Sequence, residues 1–269
     1  MKVRMYNVGF GDCFCLRDRK KSLLVDFGTN NSRIEGRPRR EIFDVIISDL
    51  STIKSKNLLL THFHMDHLSG LLYMMKKKDI SVDFGKIYLP DVFSKKEMSR
   101  TLVLLLLADL LKESGLPSRQ VSLFALVDAL LENKQNVELL SRGKLFENKY
   151  QALWPDTDVI RKETDEVYNR ICEDGKFKEV MDVLLEFAEK LRLIVWSMTA
   201  EGNKPAETVE KETDLTASEL TEQPEVRQKI IRAYVYEREF RRIKALPDFK
   251  KLLAWLNENQ INLRQFKHK

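Results

Sequence analysis

The sequence has few cysteines, and this shortage excludes a framework held together by disulfides. Only 3 cysteines occur among 269 residues, at Cys13, Cys15 and Cys172. Their odd number and the lack of a C-x-x-C spacing indicate free thiols in a reducing compartment, so we expect a cytoplasmic protein. Cys13 and Cys15 alternate along a predicted strand, which places both on one face as small apolar side chains.

A long hydrophobic run and a large net charge are also missing. The most apolar stretch, residues 101–111, contains Asp109 and is too short to cross a bilayer, so it predicts a buried helix and no membrane partner. The first ten residues combine charges with a strand pattern, and we expect no secretory leader there. A formal charge of +5 on so long a chain does not by itself indicate a nucleic-acid partner.

Histidine is scarce as well, but it is concentrated in one place. Three of the 4 histidines fall within six consecutive positions, after the apolar run 57–61. In an extended segment His62 and His64 project to the same side, and a carboxylate and a third imidazole follow at once. Imidazole and carboxylate are the ligands that a zinc-like divalent ion prefers. We therefore predict metal ligands on the turn between a strand and a helix over residues 68–78, namely His62, His64, Asp66 and His67.

The same residues resemble a family motif. Residues 61–67, T-H-F-H-M-D-H, are similar to the H-x-H-x-D-H signature of the metallo-β-lactamase-fold hydrolases. Residues 8–13 and 23–28 resemble the G-x-G-D and L-x-D-x-G strands of the branch found in bacterial DNA-uptake (competence) channel proteins and their stand-alone relatives. Residues 152–155 resemble a later strand end, so the resemblance covers the chain from residue 1 to about 156.

The resemblance implies both a fold and a chemistry. The implied fold is α/β (α+β), with a metallo-β-lactamase-like half sandwich of mixed β-sheet and helices followed by a mostly helical C-terminal region. The implied chemistry is metal-dependent hydrolysis with up to two ions, zinc or alternatively manganese, in which Asp66 ligates the second ion and orients the attacking water. Asp12 and Asp26, at strand ends, are implied to lie beside the metal loop and to orient its ligands or backbone.

The hydrophobic pattern divides the chain into two parts. Residues 1–156 begin with the order β-β-β-α-β-α-β and are predicted to carry the metal loop. Residues 157–269 are predicted to form a helical insertion or appendage, with an acidic linker near 200–223. Basic residues outnumber acidic ones after residue 225, which a solvated helix face explains about as well as a nucleic-acid contact does.

The absence with the largest consequence is that of later ligands. A two-ion hydrolase of the resembled family needs a further histidine, a bridging aspartate and a last histidine, yet no histidine follows His67 until His268. The chain therefore resembles an N-terminal half that is truncated or split. If other residues complete the site, the candidates are Asp12, Asp26 and Asp91.

Two hypotheses of different classes remain. In the first, the chain is a metal-dependent hydrolase, directed towards phosphodiesters by the resemblance and weakly active by itself. In the second, it is a catalytically inactive interaction subunit that works through its helical region or needs a partner to complete the fold. That partner is a polypeptide that supplies the missing half, or a second copy of the chain, since half a sandwich exposes an apolar face and an edge strand.

Overall fold

The computed structural model describes residues 1–18, 21–77, 83–113, 122–133, 135–173, 175–200, 240–259, 261 and 263. Nearly all of the predicted linker near 200–223 lies outside these residues, as does half of the basic C-terminal part. The chain divides into two compact units, Met1–Pro90 with Gln120–Leu140, and Asp91–Arg119 with Ser141–Lys269. The predicted domain boundary between residues 156 and 157 stays a prediction.

The first unit contains eight described strands, which we number in chain order. They are β1 (Lys2–Met5), β2 (Phe14–Asp18), β3 (Lys21–Val25), β4 (Arg33–Ile34), β5 (Arg37–Pro38), β6 (Ser55–Leu59), β7 (Ile87–Pro90) and β8 (Val137–Leu140). Six of them form a sheet in the order β1-β2-β3-β6-β7-β8, and β4 pairs with β5. The sheet is mixed, because β1–β2 and β2–β3 are antiparallel while the pairs from β3 to β8 are parallel. The predicted mixed α/β fold is confirmed.

Helices α1 (Arg39–Ser51), α2 (Met65–Met75) and α4 (Ser122–Glu132) complete the first unit. One face of the sheet is buried from β2 to β8. The residues paired across it in one register row are each at most 1% exposed, namely Cys15, Leu24, Leu58, Ile87 and Val137. Arg4, in the same row on β1, reaches Asp49 of α1, so this row faces the helices. The alternating pattern of the strands therefore directs one set of side chains into the core.

The second unit is mostly helical. Its described elements are a 3₁₀ turn (Lys96–Met98), α3 (Ser99–Glu113), β9 (Leu145–Phe146), β10 (Tyr150–Gln151), α5 (Thr157–Cys172), α6 (Lys178–Ser197), α7 (Phe240–Ala245) and α8 (Pro247–Glu258). Helix α3 packs against α5 and α6, as the predicted burial of residues 101–111 requires. The apolar positions of α6 recur at helical spacing, and Val180, Leu184, Phe187, Leu191 and Ile194 are all buried.

Two observations adjust the predictions from sequence. Helix α2 begins at Met65, three residues before the predicted start, so Asp66 and His67 lie in its first turn. The carbonyl oxygen of His64 accepts the N–H groups of both His67 (3.0 Å) and Leu68 (3.1 Å), which closes that turn. Among the described helices, none has the length and apolar character needed to cross a membrane.

Candidate metal centre

Two parallel strands bring the predicted site together. Strands β3 and β6 are neighbours, and the carboxyl ends of parallel strands meet at the same edge of a sheet. Asp26 follows β3, and the segment that leads through His62 into α2 follows β6. The N–H of Asp26 donates to the carbonyl oxygen of Leu59 (2.8 Å), which fixes the two strand ends side by side.

Two glycines let a third segment approach these strand ends. A Cβ on Gly11 would overlap the carbonyl oxygen of Gly28, and a Cβ on Gly28 would lie 2.6 Å from the carbonyl carbon of Asp66. Neither position tolerates a side chain. The close approach allows Gly28 to donate its N–H to the carbonyl oxygen of Asp12 (3.3 Å), so Asp12 enters the site from the loop before β2.

Asp26 lies at the centre of the hydrogen bonding. Its backbone has a φ of 55°, a left-handed conformation that Asp tolerates better than most residues. Its Oδ1 accepts the N–H of Thr61 (2.8 Å), and its Oδ2 accepts the Thr61 hydroxyl (2.7 Å) and the Nδ1 of His67 (2.9 Å). Asp26 is only 2% exposed, and these hydrogen bonds stabilise its buried carboxylate.

These contacts determine which ring nitrogens carry protons. A carboxylate only accepts, so Nδ1 of His67 carries the proton that it shares with Asp26. The Thr61 hydroxyl donates its one proton to Asp26. The Thr61 oxygen therefore accepts a hydrogen bond from Nδ1 of His62 (3.0 Å). In both neutral imidazoles the lone pair is therefore on Nε2, which is the tautomer that a metal ligand needs.

The remaining donor atoms lie close to these two rings. The ring centroid of His62 is 3.6 Å from that of His67 and 4.8 Å from that of His64. Nε2 of His67 is 3.9 Å from Oδ2 of Asp66. Two ligands that each lie about 2.0–2.2 Å from one ion are at most about 4.4 Å apart. The distance between His67 and Asp66 therefore allows both to hold one cation.

The charge at the centre also favours a cation. Burial lowers the pKa of His67, but the hydrogen bond and charge of Asp26, with the charges of Asp66 and Asp12, outweigh it and raise the pKa above its ordinary value. Oδ2 of Asp12 lies 3.7 Å from Nδ1 of His67, so three carboxylates surround one imidazole. A divalent ion would balance this negative charge, and the donor set fits a zinc-like or manganese-like ion.

The four predicted ligands lie in one segment, but the group of three possible ligands found among the described residues is a different set. One ligand atom each from Asp12, Asp26 and His67 lies within 4.8 Å of the other two. Asp12 and Asp26 thus lie beside the metal loop, as the resemblance implied. That His62, His64, Asp66 and His67 bind the metal, and that Asp66 is catalytic, stays a prediction. Asp91 belongs to the second unit, where its carboxylate accepts from Ser94.

The role of Thr61 was not predicted from the sequence. Its hydroxyl connects Asp26 to His62, although the sequence marks it only as the end of an apolar strand. The paired Thr29 and Ser69 were missed as well. The Ser69 hydroxyl accepts the Thr29 N–H (2.9 Å) and donates to the Thr29 carbonyl oxygen (2.9 Å), which fastens the loop after β3 to α2. A polar residue directly before the first histidine is the signal that would have indicated Thr61.

Comparisons with known proteins agree with this geometry for the N-terminal part of the chain. The chain is 32% identical over 77 residues to the protein described as "Endoribonuclease YSH1" from Mycosarcoma maydis, a match that covers 29% of this chain and 8% of that protein. No solved structure gave a significant match. The more specific resemblance to the DNA-uptake branch stays a prediction. Residues 6–91 match the family model described as "Metallo-beta-lactamase superfamily", and this part of the chain is therefore similar to that superfamily.

Proposed function

We propose that the chain is a metal-dependent hydrolase that acts on phosphodiesters. The observation that carries the proposal is the hydrogen-bonded chain from His62 through Thr61 and Asp26 to His67, because it directs both Nε2 lone pairs to act as ligands. A buried carboxylate that fixes the tautomer of ligating imidazoles is typical of metal centres. A purely structural polar cluster has no need of this arrangement.

Each residue has a distinct part in the proposed chemistry. His62, His64, Asp66 and His67 hold zinc or manganese, and Asp26 and Thr61 orient the imidazoles. When bound, a divalent ion polarises a phosphoryl oxygen and makes hydroxide accessible near neutral pH. Oδ2 of Asp66, at the N-terminal turn of α2, orients the attacking water. The helix dipole there favours the negative charge of the phosphodiester.

The phosphodiester class is supported by the name of the relative, an endoribonuclease, and by the resemblance of residues 8–13 and 23–28 to the DNA-uptake branch. The match spans about 8% of that relative's length, so its substrates come to this chain only as a proposal. We further propose that activity of the chain alone is weak. Catalytic zinc is typically held by three protein ligands, and this segment supplies two for each of two ions.

A metal-content experiment with a paired activity assay tests this function. Purified protein supplied with zinc or manganese should retain at least one ion, His62→Ala with His64→Ala should abolish retention, and His268→Ala should serve as the matched histidine control. Turnover of bis-p-nitrophenyl phosphate should be low in the wild type and absent in Asp66→Ala, with Asp158→Ala of the second unit as the carboxylate control. A metal-free wild type would refute the proposal.

One observation favours the second candidate, an interaction subunit that a partner completes. On the sheet face opposite the helices, Val3 and Met5 of the edge strand β1 are 61% and 69% exposed. Their neighbours Phe14, Leu16 and Val25 are only half-buried. An apolar face beside an edge strand is typical of a surface that another polypeptide covers, and we propose a second β-layer as its partner.

A further inference from the structure

Phe10 is an exposed aromatic residue next to the metal centre. Its side chain is 80% exposed, whereas Val8, two residues earlier, is 2% exposed. Isolated hydrophobic residues are common on protein surfaces, so exposure alone does not indicate a site. The backbone around Phe10 and the charges beside it provide the further observations.

The backbone of Phe10 is held from both sides. Its N–H donates to Oδ1 of Asn31 (3.1 Å), and its carbonyl oxygen accepts from the Thr29 hydroxyl (3.1 Å) and the Asn30 N–H (2.8 Å). Gly11, which follows it, is packed too closely against Gly28 to shift. The loop therefore cannot rearrange to bury the ring at little cost, and the ring is presented to solvent from a fixed support.

The backbone of Phe10 is close to the predicted cation ligands. Consecutive Cα atoms are about 3.8 Å apart, so the Cα of Phe10 lies at most about 7.6 Å from that of Asp12. Oδ2 of Asp12 is in turn 3.7 Å from Nδ1 of His67. The backbone of Phe10 is therefore close enough to the centre for groups next to the scissile group of a substrate to reach it.

Arginines flank the same loop. Residues 29–40 contain four arginines and one acidic residue, and Arg37, Arg39 and Arg40 are exposed. The N–H of Arg39 donates to the carbonyl oxygen of Ser32 (3.0 Å), the residue after Asn31, which brings the start of α1 near Phe10. Arg39 and Arg40 lie in the first turn of α1, where positive charge opposes the helix dipole. They do not stabilise the helix there, and together with Glu41 in the same turn they leave a net positive charge that attracts phosphate.

We propose that Phe10, Arg39 and Arg40 bind single-stranded nucleic acid beside the metal centre, with a base stacked on the phenyl ring and phosphates on the arginines. The inference rests on the proposed function, for which it names the substrate class. Stacking on an aromatic side chain together with a positive surface is how unpaired strands are bound without sequence preference. Bases of a duplex are already stacked on each other, so the ring selects single strands.

A protein partner fits the surface less well. Among the described residues from 6 to 44, Phe10 is the only exposed large hydrophobic residue. A protein interface needs a contiguous apolar core, which a single exposed ring does not supply. Unpaired RNA and DNA share the required chemistry, and the experiment distinguishes them.

The test measures binding in the presence of a chelator, so that it does not depend on metal or turnover. Fluorescence anisotropy would compare the full-length wild type and Phe10→Ala on a labelled twelve-nucleotide oligo-U, the oligo-dT of equal length, and an abasic strand with the same backbone. Phe10→Ala should weaken binding to the base-bearing strands about tenfold and leave the abasic strand unchanged, since stacking one base contributes about 1–3 kcal/mol. Val45→Ala, which removes an exposed side chain on α1, is the matched control.

A second variant separates charge from stacking. Arg39→Gln with Arg40→Gln should weaken binding of all three strands and reduce the slope of log affinity against log salt by about 1.4, because each neutralised phosphate of a single strand contributes about 0.7. Lys162→Gln with Arg170→Gln, at two exposed positions on α5, is the control that removes the same amount of charge. Preference for oligo-U over oligo-dT would identify RNA as the strand, and the reverse would identify DNA.

The outcomes separate this inference from the proposed function. Equal losses on base-bearing and abasic strands would overturn the stacking role of Phe10. A wild type that binds none of the strands would also overturn it, and loss of a protein partner in Phe10→Ala would then identify the surface as a protein interface. If the strands bind as expected but the metal experiment fails, the binding surface stands and the hydrolase proposal does not. If metal is retained and Phe10→Ala has no effect on binding, the hydrolase proposal stands and the binding surface does not.

Discussion

Both units bury polar groups, but they use them differently. In the second unit Arg192 is 3% exposed, and its donors are taken up by the Glu189 carboxylate (2.6 and 3.0 Å) and by the carbonyl oxygens of Phe93 (3.1 Å) and Ser94 (3.3 Å). Glu189 also accepts a hydrogen bond from Ser99. Burial raises the pKa of Glu189, but the hydrogen bonds from Arg192 and Ser99 outweigh it and hold the pKa below its usual range.

In the first unit the charged groups around His67 are acceptors. Three carboxylates surround His67, and Thr61 and His67 are the residues that donate to the buried carboxylate of Asp26. The Arg192 cluster pairs a cation with an anion, whereas the Asp26 cluster gathers carboxylates around an imidazole. This difference indicates that an excess of acceptors over donors, and not the burial of polar groups alone, is what predicts a cation site.

The largest expected effect is on the stability of the second unit. Arg192→Met removes the hydrogen bonds to Glu189 and to the two carbonyl oxygens, and should lower the free energy of unfolding by about 3 kcal/mol. This value is at the low end for a broken buried ion pair, because the Glu189 carboxylate stays partly hydrated. Urea unfolding measures the change, and metal content should stay the same. Arg161→Met, at an exposed pair with Asp158 (3.8 Å), should cost less than about 0.5 kcal/mol. If the two variants lowered the free energy of unfolding equally, the buried Arg192 cluster would stabilise the unit no more than an exposed ion pair does.

The next effect is on the metal centre. Asp26→Asn keeps the shape of the side chain, but its amide donates to Nδ1 of His67 and moves the ring proton to Nε2, where it blocks the ligand atom. Apparent metal affinity should fall about 10- to 100-fold, as is typical when a group that orients a ligand is changed. Competition with a fluorescent chelator measures it.

The matched control for this substitution is Asp49→Asn in the same unit. The Asp49 carboxylate accepts from Arg4 (2.6 Å), Tyr6 and Arg17 (2.9 Å) between the sheet and α1, so its loss affects packing and leaves the metal affinity unchanged. If Asp26→Asn bound metal as well as Asp49→Asn does, Asp26 would have no orienting role.

Much of the fold followed from local pattern, because hydrophobic periodicity and turn residues are properties of short segments. The strand and helix order of the first ninety residues and the helical character of α5 and α6 were predicted in this way. The β4–β5 hairpin was missed, since two-residue strands leave no periodic pattern. The start of α2 was also missed, because the helix includes Asp66 and His67, whose types suggested a ligand turn.

The arrangement of the site depended on contacts that no local pattern contains. Asp26 and Thr61 are 35 positions apart, and Asp26, whose backbone adopts a positive φ, accepts hydrogen bonds from both Thr61 and His67. The three histidines were sufficient to predict metal-binding chemistry, since that prediction depends only on side-chain types and spacing. The tautomers of His62 and His67 required the geometry of Thr61 and Asp26, which the folded sheet edge creates.

The smallest expected effect on stability concerns the exposed edge of the sheet face opposite the helices, where association is the informative measurement. Val3→Ser with Met5→Ser changes two exposed positions, so the free energy of unfolding should change by less than about 0.5 kcal/mol. If this face is covered by another polypeptide, the wild type should be oligomeric or poorly soluble, and the double variant should shift towards monomer in light scattering. Val45→Ser, on α1 and 58% exposed, is the control and should leave association unchanged.

A wild type that is a monomer with one cooperative melting transition would contradict the need for a partner. In that case the half-buried apolar face needs no second β-layer, because the protein is stable as a monomer. The two units would then differ only in their polar clusters.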